Sequence, residues 1–396
     1  MMITIQQAFR PLFILCFIVG LRIYPIKQSK PKNQWIGYLY VLYFLTVWFA
    51  YSYLFYNVLI DNLETAPGFT GGIFITFTSA IFSLYHQKRF EILIKRLAKV
   101  DDTLEELGTP KMYRKMYMQS KRVIICWIIY ILTVFICEII LQWYMNDMMF
   151  PWDIITFNIT YYYHHINAFI DLLFILFLRY IGSRFDKVSE HMQSLLEKMD
   201  HELRCTWKKS VIVHKYSLHI NNYKRTIWTS MHLHLELCHI SRNLNMIFGM
   251  QLTSEVIFYI TYLPIMCFFL CVMIIIKYRE FFSIQFRVLC WTFIFLVRFC
   301  SVNYICETVT FKANNIDKII HQLVDILRYN DVSKEIHQFT LQTMRYSLKF
   351  NRIGLLYFGN EFLRKFTMTI LTSIIILAQF CAKLIMEVMS IEDSDL

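Results

Sequence analysis

The chain has 396 residues, of which 57% are hydrophobic and only 17% are charged. Soluble globular proteins carry about 25% charged residues and about 45–50% apolar residues, so this composition excludes an ordinary soluble fold. The formal net charge is +11, but the basic residues lie between apolar runs and form no single block, which argues against nucleic-acid binding.

Seven segments are long and apolar enough to cross a membrane, which requires about 20 residues for a core of about 30 Å. We predict spans 1 to 7 at about Gly37–Leu59, Phe69–His86, Val123–Tyr144, Ile154–Leu178, Val256–Ile276, Ser283–Cys306 and Phe366–Ser390. A shorter apolar stretch, Leu12–Leu21, precedes them. It is short, lacks a small-x-small cleavage site and is followed by further spans, so we predict an amphipathic or interfacial segment and not a cleaved signal.

The Lys and Arg residues define the orientation of the spans. Of the 40, 35 lie before span 1 or in the connections 2–3, 4–5 and 6–7. Because cytosolic loops are enriched in these residues, the N-terminus is predicted to be cytosolic and the C-terminus extracellular. G-protein-coupled receptors have the opposite orientation, so this pattern argues against that class.

Two cytosolic connections show helical periodicity. Apolar residues recur at three- and four-residue spacing at Phe185, Val188, Met192, Leu195, Leu196, Met199 and Leu203, and at Ile316, Ile319, Ile320, Leu323, Ile326 and Leu327. This pattern predicts amphipathic helices. We expect spans 4 to 6 to extend into the cytosol and to pack there as a bundle. The alternative is a set of helices lying on the lipid surface.

The predicted fold is therefore an all-α polytopic membrane protein with a cytosolic helical bundle. Its parts are a cytosolic N-terminal segment (1–36), spans 1 to 6 (37–305) with cytosolic extensions (179–250), cytosolic helices (306–365), span 7 (366–390) and an extracellular tail (391–396). No pair of cysteines falls in a predicted extracellular loop, so no disulfide framework is expected.

The last span carries a recognisable motif. Thr372 and Ser373 are followed by five apolar residues and then by Gln379 and Phe380. This resembles the hallmark of the insect gustatory receptor family, which is Thr-Tyr, five hydrophobic residues and Gln-Phe. Only Ser373 departs from it. The spacing of Phe350 and Gly354 also resembles the sequence before the last span in that family, whereas the related odorant receptors share the topology but not this motif.

The resemblance implies a ligand-gated, non-selective cation channel assembled as a tetramer, with span 7 lining the pore. It implies a small-molecule tastant, a pocket on the extracellular side walled by spans 2 to 6, and a location in the plasma membrane of chemosensory neurons. Other gustatory receptor subunits could join the assembly. An odorant-receptor-type channel is the alternative of the same class.

A secondary transporter is the alternative from a different class, but no internal repeat or Gly/Pro-broken span supports it. No catalytic motif is present, so neither an enzyme nor a cofactor is predicted. The residues His232, His234, Cys238 and His239 are metal ligands by type. Their spacing matches no zinc motif, so packing is predicted there and no metal.

Gln379 is a polar amide in an apolar run, so it should face protein or water. Four copies would form a polar ring, with Phe380 as an apolar constriction that closes the pore by dewetting. The alternative is a hydrogen bond to a neighbouring helix. The other candidate pore and gate residues are Ile376, Thr372, Lys383 and Glu387. Lys383 either faces the pore beside Glu387 or extends to the lipid headgroups.

Aromatic and polar residues gather in the outer halves of spans 3 to 6. The candidate pocket residues are Trp143, Tyr162, His165, Asn167, Tyr262 and Trp291. Aromatic walls with a few polar groups suit a small organic ligand. The alternative is that these side chains anchor the helices at the membrane interface.

Besides Lys383 and Glu387 in span 7, four charged residues lie inside predicted spans. Glu138 and Arg287 fall in the outer parts of their spans, and Asp171 and Arg298 fall in the inner parts. Because ionisable groups in a membrane find partners, we predict two ion pairs, Glu138 with Arg287 and Asp171 with Arg298.

Overall fold

The computed structural model describes residues 4–21, 34–61, 66–144, 151–206, 213–276, 282–326, 333–352 and 356–392. Within these ranges nearly every residue is helical. The helices are α1 (Ile5–Ile18), α2 (Gln34–Asp61), α3 (Ala66–Glu106), α4 (Tyr113–Tyr144), α5 (Pro151–Thr206), α6 (Val213–Ile276), α7 (Phe282–Asn314), α8 (Ile316–Ile326), α9 (Ser333–Arg345) and α10 (Asn360–Glu392). One short antiparallel hairpin joins β1 (Asn351–Arg352) to β2 (Leu356–Tyr357), with Asn351 opposite Tyr357.

Seven long helices, α2 to α7 and α10, contain the seven predicted spans in order, which confirms the predicted fold class. Four segments of the described chain are long and apolar enough to cross a membrane. They are Tyr113–Leu141, Tyr161–His201, Tyr223–Phe268 and Phe286–Val324. We call the ends of the helices that carry most Lys and Arg the cytosolic end.

Helices α5 and α6 are much longer than a bilayer is thick. They contain 56 and 64 residues, or roughly 80 to 100 Å at the helical rise, against a hydrocarbon core of about 30 Å. They therefore continue past the cytosolic end and pack together there. Phe185, Val188 and Met192 are all buried in this packing, which confirms the predicted cytosolic bundle.

Helices α3 and α4 extend beyond the predicted limits of spans 2 and 3. Span 2 was expected to end at His86, but α3 continues to Glu106. Lys and Arg interrupt the apolar pattern there, although straight-chain basic residues are good helix formers. The turn that follows has Gly108 at φ +92°, a backbone conformation that favours glycine.

Helix α1 is amphipathic, as predicted for its sequence, and its apolar face packs on protein. Phe9, Leu12 and Phe13 are buried, and the ring of Phe9 stacks on Phe177 of α5 at 4.5 Å. Ile18 of the same helix is 58% exposed, so only part of the apolar surface of α1 is covered by protein. The interfacial placement of this stretch stays a prediction.

A buried polar cluster ties α3 to α5 in the cytosolic part of the bundle. Arg184 Nε lies 2.8 Å from Asp101 Oδ1, and both side chains are almost fully buried. The Tyr180 hydroxyl donates to Asp101 Oδ2 at 2.5 Å, and Arg184 donates to the same hydroxyl oxygen at 2.7 Å. Burial raises the pKa of the Asp101 carboxyl, and the guanidinium and the hydroxyl oppose that shift.

The segment before α10 folds back onto the cytosolic parts of α5 and α6. Helix α8 buries Ile316, Ile320 and Leu323, as its periodicity predicts. His234 of α6 lies 3.0 Å from the backbone oxygen of Ala313 in α7. This histidine therefore joins two helices, in line with the packing role predicted for it.

The cluster of Asp101 and Arg184 yields a stability prediction. Arg184→Met leaves a buried carboxylate without its cation, and such losses cost roughly 3 to 5 kcal/mol. We expect a clear fall in the Tm of the detergent-solubilised protein. Lys187→Met, three residues along α5, removes a partly exposed pair with Glu190 and should leave the Tm almost unchanged. Equal Tm values for the two variants would contradict this assignment.

Candidate functional site

Three charged side chains from three helices meet in the predicted membrane-embedded part of the bundle. Arg298 of α7 lies 2.7 Å from Asp171 of α5 and 3.3 Å from Glu255 of α6. Gln251 donates to the same Glu255 oxygen at 3.1 Å. We call these four residues the ion cluster. The predicted pairing of Asp171 with Arg298 is confirmed.

Glu255 was missing from the predicted set of intramembrane charges. It lies one residue before the predicted start of span 5 at Val256, and so outside every predicted span. Its signal was present in the sequence, since Gln251 and Glu255 are four residues apart and share one helix face. Because α6 is continuous through this point, a span boundary drawn from hydropathy alone misplaced the residue.

The second predicted ion pair is also confirmed. Arg287 of α7 lies 3.0 Å from Glu138 of α4. The Glu138 side chain is 7% exposed and that of Arg287 is 37% exposed. The pair therefore joins α4 to α7 towards their extracellular ends, where burial of the carboxylate alone would be costly.

Rings from α5, α6 and α7 form a dense cluster that we call the aromatic site, made of Tyr161, His164, Tyr259, Tyr262, Trp291 and Phe295. The Trp291 ring lies parallel to Tyr161 at 4.8 Å and 4.6 Å from His164. Phe295 lies 5.4 Å from Tyr259 and 6.2 Å from Tyr262. Such walls offer large apolar contact area together with hydroxyl and imidazole groups.

A polar side adjoins the aromatic site at α4. The His165 ring lies 6.5 Å from Trp291 and 5.4 Å from Tyr130, and Trp127 donates to the backbone oxygen of His165 at 2.9 Å. The His165 Nδ1 atom and the Tyr130 hydroxyl are buried, and neither has a hydrogen-bond partner among the described residues. Unpaired buried polar atoms are costly, which marks this position for a polar partner.

The ion cluster lies one helical turn below the aromatic site, towards the cytosolic end. On α5, Asp171 follows Asn167 by four residues, and on α6, Glu255 precedes Tyr259 by four. On α7, Arg298 follows Phe295 by three. Since α5 and α7 run inwards and α6 runs outwards, all three charges fall on the same side of the rings. The ion cluster is thus the floor of the aromatic site.

The six predicted pocket residues do not all come together. His165, Asn167 and Trp291 are buried at or beside the aromatic site, and Asn167 Oδ1 accepts from Thr76 at 3.4 Å. Tyr262 belongs to the aromatic site and is half-buried.

The other two predicted pocket residues lie apart from the aromatic site. Tyr162 faces away, with its ring 5.1 Å from Tyr51 of α2, and Trp143 is 77% exposed. The predicted set lacks four members of the aromatic site and one residue beside it, which are Tyr161, His164, Tyr259, Phe295 and Tyr130. A single tyrosine or phenylalanine among many apolar residues carries no distinguishing signal in a sequence.

Four of the six predicted pore and gate residues lie along one side of α10 that the described helices of this chain leave uncovered. Ile376 and Phe380 are 59% and 65% exposed, and Thr372 and Gln379 are exposed as well. The Thr372 hydroxyl donates to the backbone oxygen of Met368 at 2.9 Å. Lys383 and Glu387 lie on the helical backbone, but their side chains fall outside the described residues.

A family model described as a 7tm chemosensory receptor matches residues 9–382 of the chain. No curated protein matches the sequence. Among solved structures, the insect olfactory receptor OR5 from Machilis hrabei is similar, with a TM-score of 0.62, 10% identity and coverage of 94% of this chain and 98% of that chain. The complex of that receptor with eugenol has a TM-score of 0.50, 13% identity and coverage of 95% and 98%. At these identities the likeness shows a shared fold.

The Glu138 and Arg287 pair can be tested by exchange of charge. Glu138→Arg or Arg287→Glu alone places like charges together in an apolar setting, and we expect surface expression to fall severalfold. The double exchange should restore most of it, measured by surface labelling of an external tag. The same exchange at the exposed pair of Glu361 and Lys365 serves as the control and should change nothing. A double variant as poorly expressed as either single one would contradict the pairing.

Proposed function

Because the chain belongs to the 7tm chemosensory receptor family, we propose that it is a gustatory receptor in which a small-molecule tastant opens a non-selective cation channel. In this proposal four copies assemble in the plasma membrane of a chemosensory neuron, and α10 of each copy lines a shared pore. The motif from Thr372 to Phe380 supports the gustatory type. The family match supports chemoreception in general.

The observation that carries this proposal is the aromatic site with its unpaired polar side. Rings at 4.6 to 4.8 Å around Trp291 supply apolar contact to a flat molecule. The buried Tyr130 hydroxyl and the His165 Nδ1 atom offer a donor and an acceptor that the described protein groups do not use. We therefore infer a small aromatic ligand that bears a hydroxyl or carbonyl group.

The exposed side of α10 supports the pore. The Gln379 side chain is turned away from the rest of the protomer. Among lipid tails its amide would lack hydrogen-bond partners, so it needs protein or water beside it. Four such faces around an axis would satisfy Gln379 with water and place Phe380 beside it as an apolar ring. The lipid bilayer surrounds the remaining helices.

An odorant-gated channel is a second candidate. The similarity in fold to the olfactory receptor OR5, over 94% of this chain, favours it to the same degree as it favours any chemoreceptor of this architecture. One solved structure shows OR5 in complex with eugenol. Eugenol is a phenol and belongs to the ligand class inferred above. The two candidates can be separated with a panel that contains both volatile phenols and water-soluble tastants. The class of compound that opens the channel at the lower concentration identifies the receptor type.

The channel itself is tested in excised membrane patches from cells that express the chain. We expect ligand-evoked currents that need no cytosolic factor. In the variant Gln379→Cys a positively charged thiol reagent should block these currents, because position 379 faces the pore. The control Ile374→Cys is rotated by about 140° on the helix and should respond like the wild-type protein. Currents that vanish on patch excision would overturn the proposed function.

The ligand class is tested by removal of one hydroxyl. Tyr130→Phe keeps the ring and removes the group that faces the ligand, so the EC50 for eugenol should rise about fivefold, the scale of one lost hydrogen bond. The EC50 for the O-methyl ether of eugenol should change little if its hydroxyl is the partner. Tyr304→Phe, at a ring that is 70% exposed, is the matched control. An equal shift for both compounds would contradict the assigned contact.

A further inference from the structure

Helix α7 carries a ridge of residues that leads from the aromatic site to the start of α10. Trp291, Phe295, Phe299, Asn303 and Glu307 follow one another at intervals of four. A row of this spacing winds slowly around a helix and does not stay on one face. Its first members therefore face α5 and α6, and its last members face α10.

Phe299, in the middle of the ridge, contacts both the aromatic site and α10. The Phe299 ring lies 6.1 Å from Tyr259 of the aromatic site. On its other side the same ring lies 4.1 Å from Phe366 and 5.9 Å from Phe362, both on α10. One buried ring thus contacts the aromatic site and the first two turns of α10.

The lower end of the ridge satisfies the first amides of α10. The backbone N–H of Gly359 donates to Asn303 Oδ1 at 3.1 Å, and that of Asn360 donates to Glu307 Oε2 at 3.3 Å. The first N–H groups of a helix have no partner inside it. Gly359 stands at the capping position and has no side chain to supply one, so α7 supplies both acceptors. We call this arrangement the α10 cap.

The geometry of the α10 cap is closely fixed. Asn303 is fully buried, and its Nδ2 donates to the backbone oxygen of Phe299 at 2.9 Å, which holds the amide oxygen towards Gly359. Gly359 has φ +153°, and a Cβ there would collide with the Glu307 carboxylate. The positive φ favours glycine at this position, and a side chain here would displace the Glu307 carboxylate that accepts from Asn360.

We propose that Asn303 and Glu307 are positioning residues that couple the aromatic site to the pore helix through the α10 cap. A displacement of Trp291 or Phe295 by a ligand moves α7, and α7 moves the start of α10 because the cap leaves it no independent freedom. This inference rests on the proposed function, and it adds where the signal passes from the ligand-binding helices to the pore.

The test uses the purified full-length chain in planar bilayers, with open probability recorded without ligand and with eugenol. Glu307→Ala removes one acceptor from a partly exposed position, so the fold should survive. We expect the EC50 to rise about fivefold, the scale of a lost cap, and the maximal open probability to fall. The unitary conductance should stay at the wild-type value, and the fall in maximal open probability should persist at saturating eugenol. A loss of binding alone would raise the EC50 and leave the maximal open probability unchanged, because saturating ligand restores full occupancy.

Conservative and neighbouring variants sharpen the test. Glu307→Gln keeps a side-chain oxygen as acceptor and should gate almost like the wild-type protein, whereas Asn303→Leu should behave like Glu307→Ala or more severely. Thr308→Val is the matched control, because among the described residues the Thr308 hydroxyl bonds only to the backbone of its own helix at Tyr304. It should change neither EC50 nor open probability.

The outcomes separate the two proposals. Wild-type currents together with unchanged gating in Glu307→Ala and Asn303→Leu would overturn the coupling role and leave the proposed function standing. A rise in EC50 with an unchanged maximal open probability would also overturn the coupling role, because the variants would then act on binding alone. A wild-type chain that conducts no ions in the bilayer would overturn the proposed function and the coupling role with it.

Discussion

The arrangement of the membrane-embedded bundle depends on one buried guanidinium. Arg298 binds two carboxylates, Asp171 and Glu255, from two other helices. Without this cation the two acids would face each other in an apolar interior, where an unpaired charge is very costly. The ion cluster therefore fixes the relative positions of α5, α6 and α7. The aromatic site lies one turn above the ion cluster on the same three helices, so its geometry depends on these positions.

Helix α7 connects every part of the proposed mechanism. At its outer end Arg287 binds Glu138 of α4, further in it contributes Trp291 and Phe295 to the aromatic site, and at its inner end it caps α10. The ring contacts hold α7 by close packing, and the hydrogen bonds of the buried Asn303 fix the distance and angle between α7 and the start of α10. A displacement at the rings is thus preserved at the cap and is not absorbed there.

The sequence predicts the fold well where the physical signal is local. Apolar runs locate the seven long helices, and intramembrane charges of opposite sign at equal depth, such as Asp171 and Arg298, predict their own pairing. The site is harder to predict because its members are ordinary residues. Tyr130 and Phe295 differ from other aromatic residues only in what faces them across the bundle, and Trp143, chosen for its type and depth, lies on an exposed surface. Rotation about a helix axis decides between these cases, and an all-round apolar span leaves that rotation unspecified.

The distribution of polar groups explains why ligand binding could act on α10 at a distance. The described part of the bundle has strong polar ties at three levels, which are the pair of Glu138 and Arg287, the ion cluster and the buried contact of Asp101 with Arg184. Between the first two lies the aromatic site, where two buried polar atoms have no partner among the described residues. A ligand that forms hydrogen bonds with these two atoms stabilises the contact between the helices at a level of the bundle where such polar ties are missing. Because a ligand shifts an equilibrium only through interactions that differ between states, this level is where binding energy has most effect on the position of α7.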